Sequence, residues 1–301
     1  MNWLILALLA PMFYSIVNFI DKYVVEREVR HTLAMPIFVA LMNGPAALLF
    51  WSQGGWSPVI TTDHLIIMFT GAMIVTAAVL YFTAVQNESA SNMIIFLQMT
   101  PVFTLVFATI FLQERLTPQQ LVGFILIFGA AFTVSAFSNR QTAGKFKLSR
   151  GFLLMIIATI MLATNGILLK FATDTVGGTS LLGYEAAGKV VGGVILYLFV
   201  PHVRHAFNQS LREMRNTGFL AISLNETVYV IASTCTLLAI SGGPVTLVSV
   251  LGSTQVFYGV LLSVLLMRVA PQTFKEDVSR RGLSLKLAGA AAVVLGIVLL
   301  S

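Results

Sequence analysis

Ser91 to Gly123 reads SNMIIFLQMTPVFTLVFATIFLQERLTPQQLVG, and the reading of this stretch decides the fold. Ser91 through Gln113 carries no ionised side chain; as a helix it rises on the order of 34 Å, enough to cross the hydrocarbon core of a bilayer. Polarity then arrives at Gln113, Glu114 and Arg115, Thr117 and Pro118 break the helix, and a second apolar run opens after Gln120. The stretch therefore reads as two spans joined by a tight turn. A second copy begins at Thr254, where TQVFYGVLLSVLLMRVAP answers TPVFTLVFATIFLQERLT from Thr100; Thr100 pairs with Thr254, Val102 with Val256 and Phe103 with Phe257. The chain reads as a duplication.

Working outward, the 301 residues are 57% apolar and only 10% charged, with a mean hydropathy of +0.89. A soluble enzyme of this length would show much shorter apolar runs, so the composition predicts an all-α polytopic membrane protein. Ten spans follow from the apolar runs: Trp3 to Val24, Thr32 to Trp51, Leu65 to Asn87, Ser91 to Leu112 and Gln119 to Ser138, then Gly151 to Phe171, Ser180 to Val200, Phe219 to Ser241, Pro244 to Met267 and Ser284 to Ser301. Residues 1–138 form a first five-helix repeat, 139–150 (NRQTAGKFKLSR) a basic linker, and 151–301 a second five-helix repeat. An odd number of crossings per repeat inverts one half relative to the other. Lys22 also aligns with Lys170 at the end of each first span, Asn43 with Lys189 in the second and Ala84 with Ala239 in the third.

The net charge of +6 lacks the basic face with interleaved aromatics that nucleic acid requires, and most of the 18 lysines and arginines fall in loops on one side. The positive-inside rule places those loops in the cytoplasm and both termini outside, in what reads as a bacterial inner (plasma) membrane. The N-terminal run lacks a basic leader region and is expected to be a mature span. Cys235 is the single cysteine, so no intrachain disulfide is expected. His31, His64, His202 and His205 read as loop residues without a third ligand, and no metal site or cofactor is expected. Walker, dinucleotide, HExxH and nucleophile-elbow motifs are missing from the sequence, which argues against an enzyme.

Ionisable groups inside spans each cost about 2.5–3.5 kcal/mol at mid-membrane and so mark candidate sites. Glu226 is the strongest: with Asn225, Tyr229, Ser233 and Thr236 it forms a polar stripe within a sector of about 100°. A carboxyl held there is the candidate proton carrier. Glu185 and Lys189, at i and i+4, are a salt bridge that serves either packing or substrate, beside the close-contact step Gly188 and Gly192. Tyr14 and Asn18 head a second stripe that ends in Asp21 and Lys22, and the latter two, with Lys170, are expected to snorkel toward the interface. Gln98, three residues before Pro101, and Gln255, at the position matching Pro101 in the second half, are amides at membrane depth, and a kink at Pro101 would free a carbonyl. The candidate substrate or cavity residues are thus Tyr14, Asn18, Gln98, Glu185, Lys189, Asn225, Glu226, Tyr229, Ser233 and Gln255. Glu114 and Arg115 read as a structural turn and helix cap.

The stretch YFTAVQNESASNMIIFLQMTPVF, Tyr81 to Phe103, followed by QERLTPQQLVG, Gln113 to Gly123, resembles the drug/metabolite transporter superfamily and, within it, the EamA-like ten-span transporters. Arg268 stands where Glu114 would repeat, and Pro271 to Gly282 lengthens the second turn. The resemblance implies two inverted five-helix repeats around a central cavity, working by alternating access as a secondary active transporter. It implies transport of small metabolites without fixing their class, with cavity walls from the first, third and fourth helices of each half together with their neighbours; the expected substrate is a small polar or amphipathic metabolite, with export of an amino-acid-like compound foremost. The alternatives are a flippase for a lipid-linked sugar or other amphiphile, and a scaffold or sensor that transports nothing. The expected partners are a small-molecule substrate and the lipid bilayer, not nucleic acid; monomer and homodimer both fit the sequence.

Overall fold

The computed structural model describes residues 3–29, 31–85, 97–138, 150–173, 175–267 and 280–300. All regular structure among the described residues is helical. The basic linker at 139–149, the turn at 268–279 and residues 86–96 of the diagnostic stretch lie outside the described residues, as does the Lys22 side chain.

The helices are α1 (Trp3–Arg27), α2 (Met35–Phe50), α3 (Thr62–Val85), α4 (Thr100–Phe107), α5 (Pro118–Ser138), α6 (Arg150–Thr173), α7 (Gly178–Phe199), α8 (Pro201–Glu213), α9 (Asn216–Gly242), α10 (Val245–Gly252), α11 (Gln255–Met267) and α12 (Arg280–Leu300). Seven segments are long and apolar enough to cross a membrane: Trp3–Asp21, Thr32–Gly55, Thr62–Ala84, Arg150–Thr173, Gly178–Phe199, Asn216–Gly242 and Val245–Ser263. Three shorter apolar helical segments, Thr100–Leu112, Pro118–Val134 and Leu287–Leu300, stand where the sequence placed further spans. The chain is a polytopic membrane protein. Exposed Leu, Ile, Val and Phe side chains cover its flanks, as a lipid-facing surface requires.

Pairing runs across the halves: α1 lies along α9, α6 along α3, α5 along α12, and α7 along both α2 and α3. Helices α3 and α7 approach closely, because Gly71 on α3 faces the Glu185 carbonyl while Gly188 and Gly192 on α7 face Met68 and Ala72. A Cβ at Gly188 would collide with the Met68 carbonyl oxygen. Small residues let the two backbones meet, which in lipid is how helices gain dispersion contact. The glycine step therefore packs α7 on α3, while the Glu185–Lys189 side chains of the same helix turn elsewhere.

Three features depart from the sequence reading. Span nine is two helices, α10 and α11, broken at Ser253 and Thr254, where Ser253 N–H bonds the Val250 carbonyl and Thr254 N–H the Leu251 carbonyl in tightened turns. The loop after span seven contains α8, whose Val203, Ala206, Phe207 and Ser210 face inward at helical spacing, with His202 and His205 on its exposed side. His64 is not a loop residue; it lies in the first turn of α3, buried and 4.3 Å from the Tyr184 ring.

The turn after α4 behaves as its sequence suggests. The helix widens over Ala108–Leu112 and ends at Gln113 in the left-handed region, φ 54°, with the Glu114 N–H closing onto the Ala108 carbonyl. Thr117 and Gln120 then cap α5 reciprocally: the Thr117 N–H donates to Gln120 Oε1, and the Gln120 N–H donates to Thr117 Oγ1.

Candidate functional site

A cavity of about 450 Å³ opens inside the bundle, walled by α1, α4, α6, α9 and α10, with single residues from α3, α7 and α11. It occupies the half of the molecule nearer the face at which α1 begins: its α1 residues run from Ala7 to Tyr14 and its α9 residues from Tyr229 to Ile240. Most of the wall is apolar. Tyr14, Gln98, Glu185, Tyr229, Ser233 and Gln255, six of the expected site residues, line it. Asn18 is exposed on α1 and outside the cavity wall. Lys189, Asn225 and Glu226 are buried behind or below the wall rather than in it.

Local sequence explains the shape. Pro11 removes a backbone donor from α1 beside the cavity, and the Ser15 hydroxyl, bonded to the Pro11 carbonyl, also donates to the Gln255 carbonyl at 2.9 Å. That bond ties α1 to the start of α11, next to the break. In the fourth span, Gln98 and Met99 form a turn before α4 begins at Thr100. The Ser249 hydroxyl donates to Thr104 Oγ1 at 3.1 Å, so α10 and α4 meet across the cavity. Pro101 thus sits at the opening of a half-helix, where a missing N–H is tolerated, rather than at a mid-helix kink. Asn165 donates to the Thr70 carbonyl at 2.9 Å and fixes α6 on α3.

Charge continues beneath the cavity wall. Lys189 Nζ lies 2.8 Å from Glu185 Oε2, donates to Ser233 Oγ at 3.4 Å, and stands 4.9 Å from the centre of the Tyr229 ring. Tyr229 in turn meets Tyr14 edge to face at 5.7 Å. Below this layer a second cluster joins α1 to α9: the Asn225 amide donates to Asp21 Oδ1 at 2.8 Å, and Glu226 lies within electrostatic reach of both Asp21 and Lys189. Asp21 is therefore engaged with Asn225, not snorkelling as the sequence suggested.

Several of these buried atoms have no hydrogen-bond partner: Glu185 Oε1, Gln98 Oε1 and Ser253 Oγ beside the cavity, and Glu226 Oε2 and Asn225 Oδ1 below it. Buried polar atoms are nearly always satisfied, so a concentration of unspent acceptors in one place marks where a ligand or proton would engage.

Two charged residues are fully employed instead. Glu114 accepts from the Val245 N–H at 2.9 Å, the Thr246 N–H at 3.2 Å and the Thr246 hydroxyl at 2.9 Å, so it caps α10 in the other half of the chain. Lys170 donates to the Ile240 and Gly243 carbonyls at 2.8 and 2.9 Å and caps the end of α9. It does not reach for the interface. Sequence reasoning identified Glu114 as a cap without finding its partner, and missed the role of Lys170. Among the described residues no group of three or more His, Cys, Asp or Glu is arranged to hold a metal.

An all-helical bundle of long apolar helices with an internal cavity defines a polytopic membrane protein. Comparison with known proteins then finds that residues 1–136 match the model of the EamA-like transporter family. The uncharacterized protein MJ1333.1 of Methanocaldococcus jannaschii is 26% identical over 127 residues, 41% of this chain and 89% of that protein. A solved crystal structure superposes with a TM-score of 0.72 at 14% identity, covering 99% of this chain and 95% of its own; at that identity the likeness is one of fold.

Proposed function

We propose that the protein is a secondary active transporter made of two inverted five-helix repeats, carrying a small amphipathic metabolite through the central cavity by alternating access. The observation that carries this reading is the cavity itself: about 450 Å³ at membrane depth, with unpartnered buried acceptors in and beneath its wall. The exchange of partners between halves, α1 with α9 and α6 with α3, supports the inverted repeat. So does the relative that matches less than half of this chain yet almost all of its own length. The basic loops orient the α8 face toward the cytoplasm.

Coupling falls to Glu226. Its Oε2 has no partner, it neighbours a second acid, Asp21, and it sits under the cavity rather than in it. A proton that resides there in one conformation and leaves in the other would drive the substrate above it. In proteoliposomes, Glu226→Gln is expected to slow transport and flatten its pH dependence. An unchanged rate with an unchanged pH profile would remove Glu226 from the coupling step.

A further inference from the structure

We propose that the cavity selects the cationic head of an amphipathic amine, bound at the free oxygen of Glu185, and disfavours ligands that carry a carboxylate. The proposal rests on the transport reading only in taking the cavity to be a binding site.

Four observations converge. Glu185 is 3% exposed; its Oε2 is held by Lys189 at 2.8 Å, while its Oε1 is buried beside the cavity without a partner. A carboxylate clamped on one oxygen presents the other as a fixed acceptor, suited to a second ammonium. Gln98 Oε1 and Ser253 Oγ, also buried and unpartnered, line the same cavity from the turns before α4 and α11. An ammonium has three donors, and the site offers three oxygens. Among the described residues, Glu185 is the one Asp, Glu, Lys, Arg or His in the cavity wall.

The surrounding charge points the same way. Among the described side chains, Lys189 is paired with Glu185, and Glu226 lies within electrostatic reach of Lys189 and Asp21, so acids outnumber the ammonium there, which favours a cation over an anion. Lys189 gives a ligand carboxylate no purchase, because it is absent from the wall and spent on Glu185, Ser233 and the Tyr229 ring. Nor do the helix breaks form a ready anion nest. Pro101 has no N–H, Val102 and Phe103 donate to the Met99 carbonyl, Val256 donates to Ser253, and Phe257 and Tyr258 donate to Thr254. The rest of the wall, including Pro11, Leu162, Leu237 and Ile240, suits an apolar body, with Tyr14 and Tyr229 offering ring faces.

The test is calorimetric binding to the detergent-solubilised full chain, with matched detergent blanks, of three compounds that share a ring and differ in charge: tryptamine, tryptophan and indole-3-propionate. Tryptamine is expected to bind most tightly, tryptophan to be weaker by on the order of tenfold, and indole-3-propionate to be weaker still. Glu185→Gln paired with Lys189→Gln, which removes both charges of the ion pair together, should weaken tryptamine by on the order of tenfold. Gln98→Leu, which leaves the ion pair intact, should weaken it severalfold. Equal or tighter binding of either carboxylate-bearing compound, no tryptamine binding at millimolar concentration, or an unchanged tryptamine affinity in the Gln98→Leu and double variants would each overturn the proposal. Proteoliposome counterflow separates the two readings. Tryptamine that binds with this selectivity but is never exchanged leaves the site standing and removes transport, whereas exchange of a carboxylate-bearing metabolite with no amine binding keeps transport and removes the site.

Discussion

Two charged regions lie within the helical bundle, and they are finished to different degrees. At the face where α1 begins, Glu114 and Lys170 clamp the turn between α9 and α10, one capping the start of α10 with three hydrogen bonds and the other capping the end of α9 with two. In the middle, Glu185, Asn225 and Glu226 each keep a buried oxygen without a partner. An acid at a helix N-terminus and a base at a C-terminus are stabilised by the dipoles they complete, so the clamp can be purely structural. The central groups have no such completion from the protein. The comparison teaches that a charge at membrane depth is no sign of function by itself; what separates the two regions is whether its hydrogen-bonding capacity is used up.

Mutations can break this contrast, and the largest effect is expected at the pair that belongs partly to both sides. Lys189→Met leaves Glu185 buried and unpaired, which should cost about 3–5 kcal/mol in denaturant unfolding of the solubilised protein, and Glu185→Gln added on top should recover most of it. Failure of the double variant to recover would mean that the pair is not coupled as its 2.8 Å contact indicates. Glu114→Ala strips three donors of their acceptor and should cost about 2 kcal/mol, with transport per folded molecule retained. Lys170→Met is expected to cost about 1–2 kcal/mol by the same measurement, because it removes two carbonyl contacts at the end of α9. The smallest stability change belongs to Glu226→Gln, within about 1 kcal/mol or slightly stabilising, since burying an acid with a free oxygen gives the fold little.

Much of the bundle was readable because membrane spans declare themselves by length and apolarity: α1, α6, α7 and α9 lie within a few residues of the runs read from sequence. The cavity side of α9 was also readable, since Tyr229, Ser233 and Thr236 share a face at helical spacing and all reach the wall. What stayed hidden depended on partners distant in the chain. Nothing near Glu114 announces that its acceptors serve Val245 and Thr246, and nothing near Lys170 points to the carbonyls of Ile240 and Gly243. The stripe containing Asn225 and Glu226 looked continuous with Tyr229, yet the wall stops above them because Asn225 is drawn to Asp21 on α1. Helix α8 was legible in principle: Val203, Ala206, Phe207 and Ser210 follow a helical period, but its basic residues had already been assigned to topology. The break at Ser253 and Thr254 was masked by an apolar run that a hydropathy reading treats as one span.

The most direct test sets Glu114→Gln and Glu226→Gln side by side, each scored for unfolding free energy and for transport rate across pH in proteoliposomes. The account predicts opposite signatures: Glu114→Gln loses stability and keeps the wild-type pH profile, while Glu226→Gln keeps its stability and loses the pH dependence. If Glu226→Gln unfolds as readily as Glu114→Gln while transporting with a normal pH profile, the unspent carboxylate is a structural group and the distinction drawn between the two regions is wrong.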